Sequence, residues 1–251
     1  MRALVLVLAL LGAWELYVDL GGIDEFLLPA PSAIAQSLWV DRGLLWDNFA
    51  VTAQEIVLGM AVAVLVGLAF AVAIHFSRSL RRATYPLLVA SQTVPVVVVA
   101  PLLVAWLGFD LGPKLAIVGL VCFFPLVVTT LDGLRGVDPD LRKLMRSLGA
   151  SRSQTFWRVE APAALPELLS GAKIALAVAA IGAVLAEYAG SSDGLGHLIQ
   201  QASSQFDTAR GWAAVVLLAT FTIVLFRALT LAERRLVPWA HRSRRSEGAV
   251  A

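Results

Sequence analysis

Apolar runs of about twenty residues recur some six times along this 251-residue chain, and they constrain its fold more than any other feature. A helix needs roughly 20 mostly apolar residues to cross a bilayer, where every backbone donor and acceptor must be satisfied within the span. The runs lie at about Ala3 to Val18, Val51 to Phe76, Tyr85 to Leu107, Lys114 to Leu131, Leu168 to Glu187 and Trp212 to Leu231. Only 15% of residues are charged, against about 25% for a soluble domain. The expected fold class is all-α: a polytopic membrane protein of about six transmembrane helices, forming one domain over residues 1–251. No run is left over for a separate soluble catalytic domain.

The first run follows Arg2 and has the length of a signal peptide's apolar region. No small-x-small cleavage site follows it, and Trp14, Glu15 and Tyr17 suit a retained helix better. Between Asp19 and Asn48 the chain is mixed, with helical spacing over Ser32 to Val40 and interface-type Trp39 and Trp46. The third run contains Pro86, Pro95 and Pro101, so a kinked or locally unwound helix is expected there. A polar loop is expected between Glu187 and Gly211.

Charge sets the orientation. With both termini cytoplasmic, 17 of the 20 lysines and arginines fall on the inner side, and only Arg42, Lys114 and Arg210 fall outside. The positive-inside rule favours that arrangement. The net charge of +2 is spread over loops, which excludes a nucleic-acid-binding patch.

Residues 132–167 form the long inner loop between the fourth and fifth runs. Asp138-Pro139 reads as an N-cap followed by a first-turn proline. Leu141, Leu144, Met145 and Leu148 then share one helical face, and Gly149 suits a left-handed stop. Ser151 and Gln154 have capping-box spacing for a second short helix, expected to stop near Pro162. An apolar stripe on such a helix must be buried against its own chain, in the headgroup layer, or in a partner.

The run Arg146-Ser147-Leu148-Gly149-Ala150-Ser151, with Phe156, Val159, Pro162, Leu165-Pro166 and Gly171, resembles the signature loop of bacterial ABC importer permeases. That resemblance covers about Pro29 to Arg235. It implies coupling helices, here carried by Leu141, Leu144, Met145, Arg146, Leu148, Gly149, Ala150 and Ser151, framed by Pro162, Leu165 and Pro166. In the family the loop begins Glu-Ala-Ala; here Lys143, Leu144 and Met145 stand in those positions, so the glutamate's role is not carried over. Within the family the chain is similar to the sulfonate, taurine and nitrate group. Ser91-Gln92-Thr93-Val94-Pro95, Phe123-Phe124-Pro125 and Gly194-Leu195-Gly196 resemble permeases for hydroxymethylpyrimidine-type thiamine precursors and riboflavin. The resemblance implies two permease copies, two ATPase subunits that bind ATP and Mg, an extracytoplasmic binding protein, and a place in the bacterial inner membrane.

The residues themselves argue against catalysis in this chain. No Gly-x-x-x-x-Gly-Lys-Ser/Thr phosphate loop is present, since Lys114 follows Pro113 and Lys173 follows Ala172. His75, His197 and His241 are scattered, which leaves neither a nucleophile–base pair nor a metal site, and no catalytic residue is assigned. The lone Cys122 lies in an apolar run and reads as a buried small residue. Polar residues within spans are the candidates for a substrate path: Gln92 and Thr93 beside Pro95, then Thr129 with Thr130, and Glu187 as partner of a basic group or external gate. Helix–helix or backbone hydrogen bonding is the competing role for each, as it is for Gln54 and Glu55. No lysine or arginine is expected deep in a span, which leans towards a neutral or aromatic solute. Two other classes stay open on residues alone. A secondary transporter should show paired broken helices in two halves, whereas only the third run is proline-rich and no half matches it; a membrane scaffold would use the loop helix as its contact.

Overall fold

The computed structural model describes residues 2–239, which leaves His241, Arg242, Arg244 and Arg245 outside the described residues. The chain begins with α1 (Arg2–Gly21), α2 (Pro31–Val40) and α3 (Arg42–Phe76), followed by α4 (Arg78–Ser91) and α5 (Val96–Leu107). Next come α6 (Leu111–Arg135), α7 (Pro139–Ser147) and α8 (Arg152–Thr155), which passes through a π-turn (Phe156–Glu160) into α9 (Ala161–Gly190). The last helices are α10 (Leu195–Ser204) and α11 (Thr208–Leu236). No strand occurs among the described residues.

Four helical stretches are long and apolar enough to cross a membrane: α3, α6, the continuous stretch Arg152–Gly190, and α11. The bent pair α4–α5 makes a fifth. By this criterion the count stays below the six expected, with α1, a 20-residue helix, standing outside it.

Three of these helices make the core. α6 packs most extensively on α9 and next on α3. Their shared interior holds Ile56, Ala63, Val118, Cys122, Leu126 and Ala175. The contact is close because α9 presents a stripe of small residues, Ala172, Ala175, Ala179, Gly182, Ala183 and Ala186, at three- and four-residue intervals. Lipid is as apolar as leucine, so association in a bilayer depends on close packing of this kind. Cys122 is fully buried there, its thiol donating to the Ala175 carbonyl at 3.3 Å. Leu65 and Val66 of α3 and Leu6 and Leu10 of α1 are exposed, as lipid-facing side chains should be.

Two proline-marked segments take their shape from local causes. The third run unwinds at Gln92–Pro95, as its prolines indicated, into a pair of helices bent by 102°. Pro95 offers no N–H and disfavours helical backbone at Val94, so the chain leaves the helix and restarts with Pro95 as N-cap. The segment before Pro162 does not stop as expected; α8 continues into α9. The π-turn makes this possible, with the Ala161 amide bonding the Phe156 carbonyl five residues back. A widened turn there eases the fit of the proline ring against the preceding turn.

The segment between Glu187 and Gly211 contains α10, where a polar loop was expected. Leu195 and Leu198 of α10 pack with Ile34, Leu45, Ala213 and Ala214. At the same end α1 is tied to α2, whose N-cap Ala30 supplies no side-chain acceptor. The Glu15 carboxylate takes that role, accepting from the Ser32 amide at 3.0 Å and from its hydroxyl at 2.5 Å.

Candidate coupling loop and substrate path

The loop after α6 is built by local chemistry. The Asp138 carboxylate caps α7, accepting from the Asp140 amide at 2.8 Å, and Pro139 occupies the first turn. At the far end Gly149 takes φ +72°, and its amide bonds the Arg146 carbonyl while the Ala150 amide bonds that of Met145, both at 3.0 Å. These two bonds are the Schellman stop, and the positive φ favours glycine there. Ser151 and Gln154 form the full reciprocal capping box, with bonds of 3.2 and 2.8 Å.

The stripe on α7 is uncovered. Leu141, Leu144 and Leu148 are exposed and Met145 is half-buried, so this chain does not bury that face on itself. Lys143, where the family pattern begins, pairs with Asp140 at 2.7 Å in solvent.

Sequence reading missed the anchor that fixes α7. Arg142 donates from Nε to Glu160 Oε1 at 2.7 Å and from Nη2 to the Leu134 carbonyl at 2.6 Å. The other oxygen of Glu160 meets His75 Nε2 at 2.8 Å. One buried carboxylate therefore links α7, the end of α3 and the π-turn leading into α9. Arg152 adds a second tie, donating to the Phe76 carbonyl at 2.9 Å with its guanidinium over the Phe76 ring. Of the frame residues, Pro162, Leu165 and Pro166 all lie in the opening turns of α9, Pro162 exposed and the other two half-buried.

The candidate path residues fall in three separate places. Gln92, Thr93 and Pro95 are exposed at the α4–α5 break, and the Thr93 hydroxyl donates to the Ala90 carbonyl at 2.7 Å. Thr129 donates to the Pro125 carbonyl at 2.8 Å and abuts Gly171 of α9, and Thr130 bonds the Leu126 carbonyl at 2.6 Å. Both threonines therefore serve helix packing and their own backbone.

Glu187 lies at the end opposite the loop, buried within a polar knot. It accepts from the Thr52 hydroxyl at 2.6 Å and from the Gly196 amide. Thr52 in turn accepts from the Leu195 amide at 2.7 Å, and Asn48 accepts from the Gly194 amide at 2.8 Å. A Cβ at Gly194 would stand 2.3 Å from the Glu187 carboxyl carbon, so the Gly194-Leu195-Gly196 turn is a cradle for that side chain. No basic group pairs with Glu187 among the described residues.

The buried cation nearby belongs to Glu55. Lys114 donates to Glu55 Oε1 and to Ser191 Oγ, both at 2.7 Å, tying α3 and α6 to the end of α9. Lys114 lies in the first turn of α6 and not deep in a span, and its burial there is matched by the charge of Glu55. Beside this pair opens a cavity of about 590 Å³ lined by Gln54, Glu55, Asp110, Lys114 and Asp193, among others.

Removing one partner of such a pair leaves a buried unpaired charge, at a cost of about 3–5 kcal/mol. Lys114→Met should therefore lower the apparent melting temperature of the solubilised protein, and Glu55→Gln added to it should restore most of the loss. Equal melting of the single and double variants would show that the pair does not hold these helices together.

Comparison with known proteins gives the family in which this arrangement of broken span, apolar core helices and capped loop helix belongs. Residues 63–238 match the family described as binding-protein-dependent transport system inner membrane component. The chain belongs to that family: it is a permease of the bacterial ABC importer class. It is 34% identical over 233 residues to the formylaminopyrimidine transport permease ThiX of Halalkalibacterium halodurans, covering 92% of this chain and 93% of that one. It is 36% identical over 237 residues to the riboflavin transport permease RibX of Chloroflexus aurantiacus, covering 94% and 88%. The taurine permease TauC of Escherichia coli is 31% identical over 237 residues, covering 92% and 86%. The fold is shared with a chain of an amino acid ABC transporter at TM-score 0.62 and 18% identity, over 80% of this chain and 97% of that one.

Proposed function

We propose that this permease imports a small heteroaromatic solute, of the pyrimidine thiamine-precursor or riboflavin kind, driven by ATP hydrolysis in a separate subunit. The observation that carries the coupling role is the α7 face: Leu141, Leu144 and Leu148 lie uncovered on a helix locked to α3, α6 and α9 by Arg142, Glu160 and His75. A partner that moves α7 would thereby move the bundle. The proposed assembly has two permease copies related by a two-fold axis, two ATPase subunits holding ATP and Mg, and an extracytoplasmic binding protein. The proposed orientation places the α7 loop and both termini in the cytoplasm, in keeping with the charge asymmetry. The 590 Å³ cavity then faces outward. Gln92, at the α4–α5 break, and Glu187, buried in its polar knot, remain path candidates outside the wall of that cavity.

The substrate class is supported by the relatives named for formylaminopyrimidine and riboflavin. The cavity wall agrees, since Glu55, Asp110 and Asp193 outnumber Lys114 and would repel a sulfonate while accepting from N–H groups. The taurine relative supports a sulfonate as the second reading. Two measurements test the proposal. Ligand binding by the partner binding protein, screened across pyrimidines, flavins, sulfonates and nitrate, should select a pyrimidine or flavin; selection of a sulfonate reverses the substrate reading. In the reconstituted complex, Gly149→Trp should abolish substrate-stimulated ATP hydrolysis, because a bulky residue at φ +72° distorts the end of α7. Stimulation at the wild-type level would sink the coupling role.

A further inference from the structure

At the loop end of the bundle lies a second hollow, of about 760 Å³, that the coupling role does not explain. Six guanidinium groups line it: Arg78, Arg81, Arg135, Arg142, Arg146 and Arg152. They come from α4, the end of α6, α7 and α8, so residues remote in sequence converge on one space. The only carboxylate in the wall is Glu160, already engaged by Arg142 and His75.

Three of the arginines are committed elsewhere. Arg142 holds Glu160 and the Leu134 carbonyl, Arg152 holds the Phe76 carbonyl, and Arg135 stands over the Tyr85 ring at 5.9 Å. The side chains of Arg78, Arg81 and Arg146 have no hydrogen-bond or ion-pair partner among the described residues. Like charges gathered in a hollow repel one another until an anion enters, and guanidinium forks match phosphate oxygens.

We propose that this basin binds a phosphate-bearing anion, and that the headgroup of an anionic inner-leaflet lipid is its natural source. The membrane boundary supports the lipid. Along α4, Arg78 and Arg81 are followed within about three turns by exposed Tyr85, Leu87 and Val89, so the basin's rim adjoins an exposed apolar helix surface of the kind lipid covers. Basic pockets between spans on the cytoplasmic side suit such headgroups. The volume exceeds that of a bare phosphate and falls in the usual range for small-molecule sites. The proposal rests on the basin and the orientation, and not on the coupling role of α7.

The test uses the purified full-length permease in neutral detergent, with short-chain phosphatidylglycerol, short-chain phosphatidylcholine and inorganic phosphate as probes. Binding is read by native mass spectrometry and by thermal shift. Phosphatidylglycerol should bind about tenfold or more tightly than phosphatidylcholine, and Arg78→Gln/Arg81→Gln should erase that preference. Arg78→Lys/Arg81→Lys should keep part of it, because charge survives while the planar fork is lost. The glutamine pair should melt no lower than the wild type without ligand, as these side chains are exposed and unpaired and their removal relieves like-charge repulsion, which separates loss of binding from loss of fold. Protection by inorganic phosphate equal to that by phosphatidylglycerol, and lost in the glutamine pair, upholds the site with a soluble anion as its source. No effect of the glutamine pair on either anion overturns the proposal. So does a glutamine pair that weakens only association with the ATPase, since the basin would then receive an acidic protein surface.

Discussion

Replacing Arg142 with alanine should reduce substrate-stimulated ATP hydrolysis and uptake by the assembled transporter about tenfold or more, with the permease still inserted. Among the described residues, Arg142 is the only side chain that ties α7 to both the Leu134 carbonyl and Glu160. Without it, Glu160 keeps its place beside His75 but loses its permanent cation, and the last turn of α6 loses a donor. Truncating one partner of a buried pair costs about 3–5 kcal/mol, and partial exposure of Arg142 argues for the lower end. That energy is local, so it should loosen α7 without unfolding a core held by α3, α6 and α9. Lys143→Ala provides the comparison on the same helix. Its pair with Asp140 is exposed on both sides, 73% and 80%, and such pairs contribute little. Hydrogen exchange over Pro139–Ser147 should rise in the arginine variant and stay unchanged in the lysine variant. Full coupling in Arg142→Ala would show that the anchor is not the path by which motion enters the bundle.

The features readable in advance were those encoded by neighbours in the chain. The α7 loop is the clearest case. Asp138, Gly149, Ser151 and Gln154 each act within four residues of their own position, and each does what its spacing indicated. The apolar runs similarly located α3, α6, α9 and α11, because a run of about twenty apolar residues survives errors of several residues at its ends. The prolines of the third run signalled a break, but the angle of 102° depends on how α5 packs against α6 and α9.

What stayed hidden depends on partners far apart in sequence. Glu160 carries no local signal of its role, and only the fold brings His75 to it from 85 residues away. Glu55 and Lys114, 59 residues apart, gave no local sign that a lysine would be buried and paired. The same holds for Glu187, whose partners Thr52 and Gly196 come from α3 and α10. Pro162 misled for a different reason. A proline ends a regular helix, but the π-turn before it changes the geometry, and nothing in the sequence marks a π-turn. The helix α10 was missed because its apolar residues, Leu195, Leu198, Ile199 and Ala202, make too short a run to stand out beside glutamines and serines.

The second large effect is expected at Gly171, where Gly171→Leu should prevent stable assembly of the bundle. A Cβ at that position would stand 1.8 Å from Thr129 Oγ1 and 3.2 Å from the Pro125 carbonyl oxygen. Thr129 has little freedom to retreat, because its hydroxyl bonds the Pro125 carbonyl and its neighbour Thr130 is buried against the same turn. The helices themselves would have to separate. Separation would open the contacts that Ala172, Ala175 and Ala179 make along the same seam. In a bilayer there is no hydrophobic term to offset that loss, since exposed leucine is as well solvated by lipid as by protein. The expected result is a several-fold fall in monodisperse protein recovered from membranes, with a lower apparent melting temperature in what remains. Gly119→Leu is the control on the facing helix: a Cβ there meets nothing within 4 Å, so recovery should match the wild type. Both substitutions add the same side chain to an apolar span, so a difference between them isolates packing from insertion. Equal recovery of the two variants would mean that the α6–α9 seam tolerates separation, and that the bundle's rigidity, on which coupling from α7 depends, comes from elsewhere.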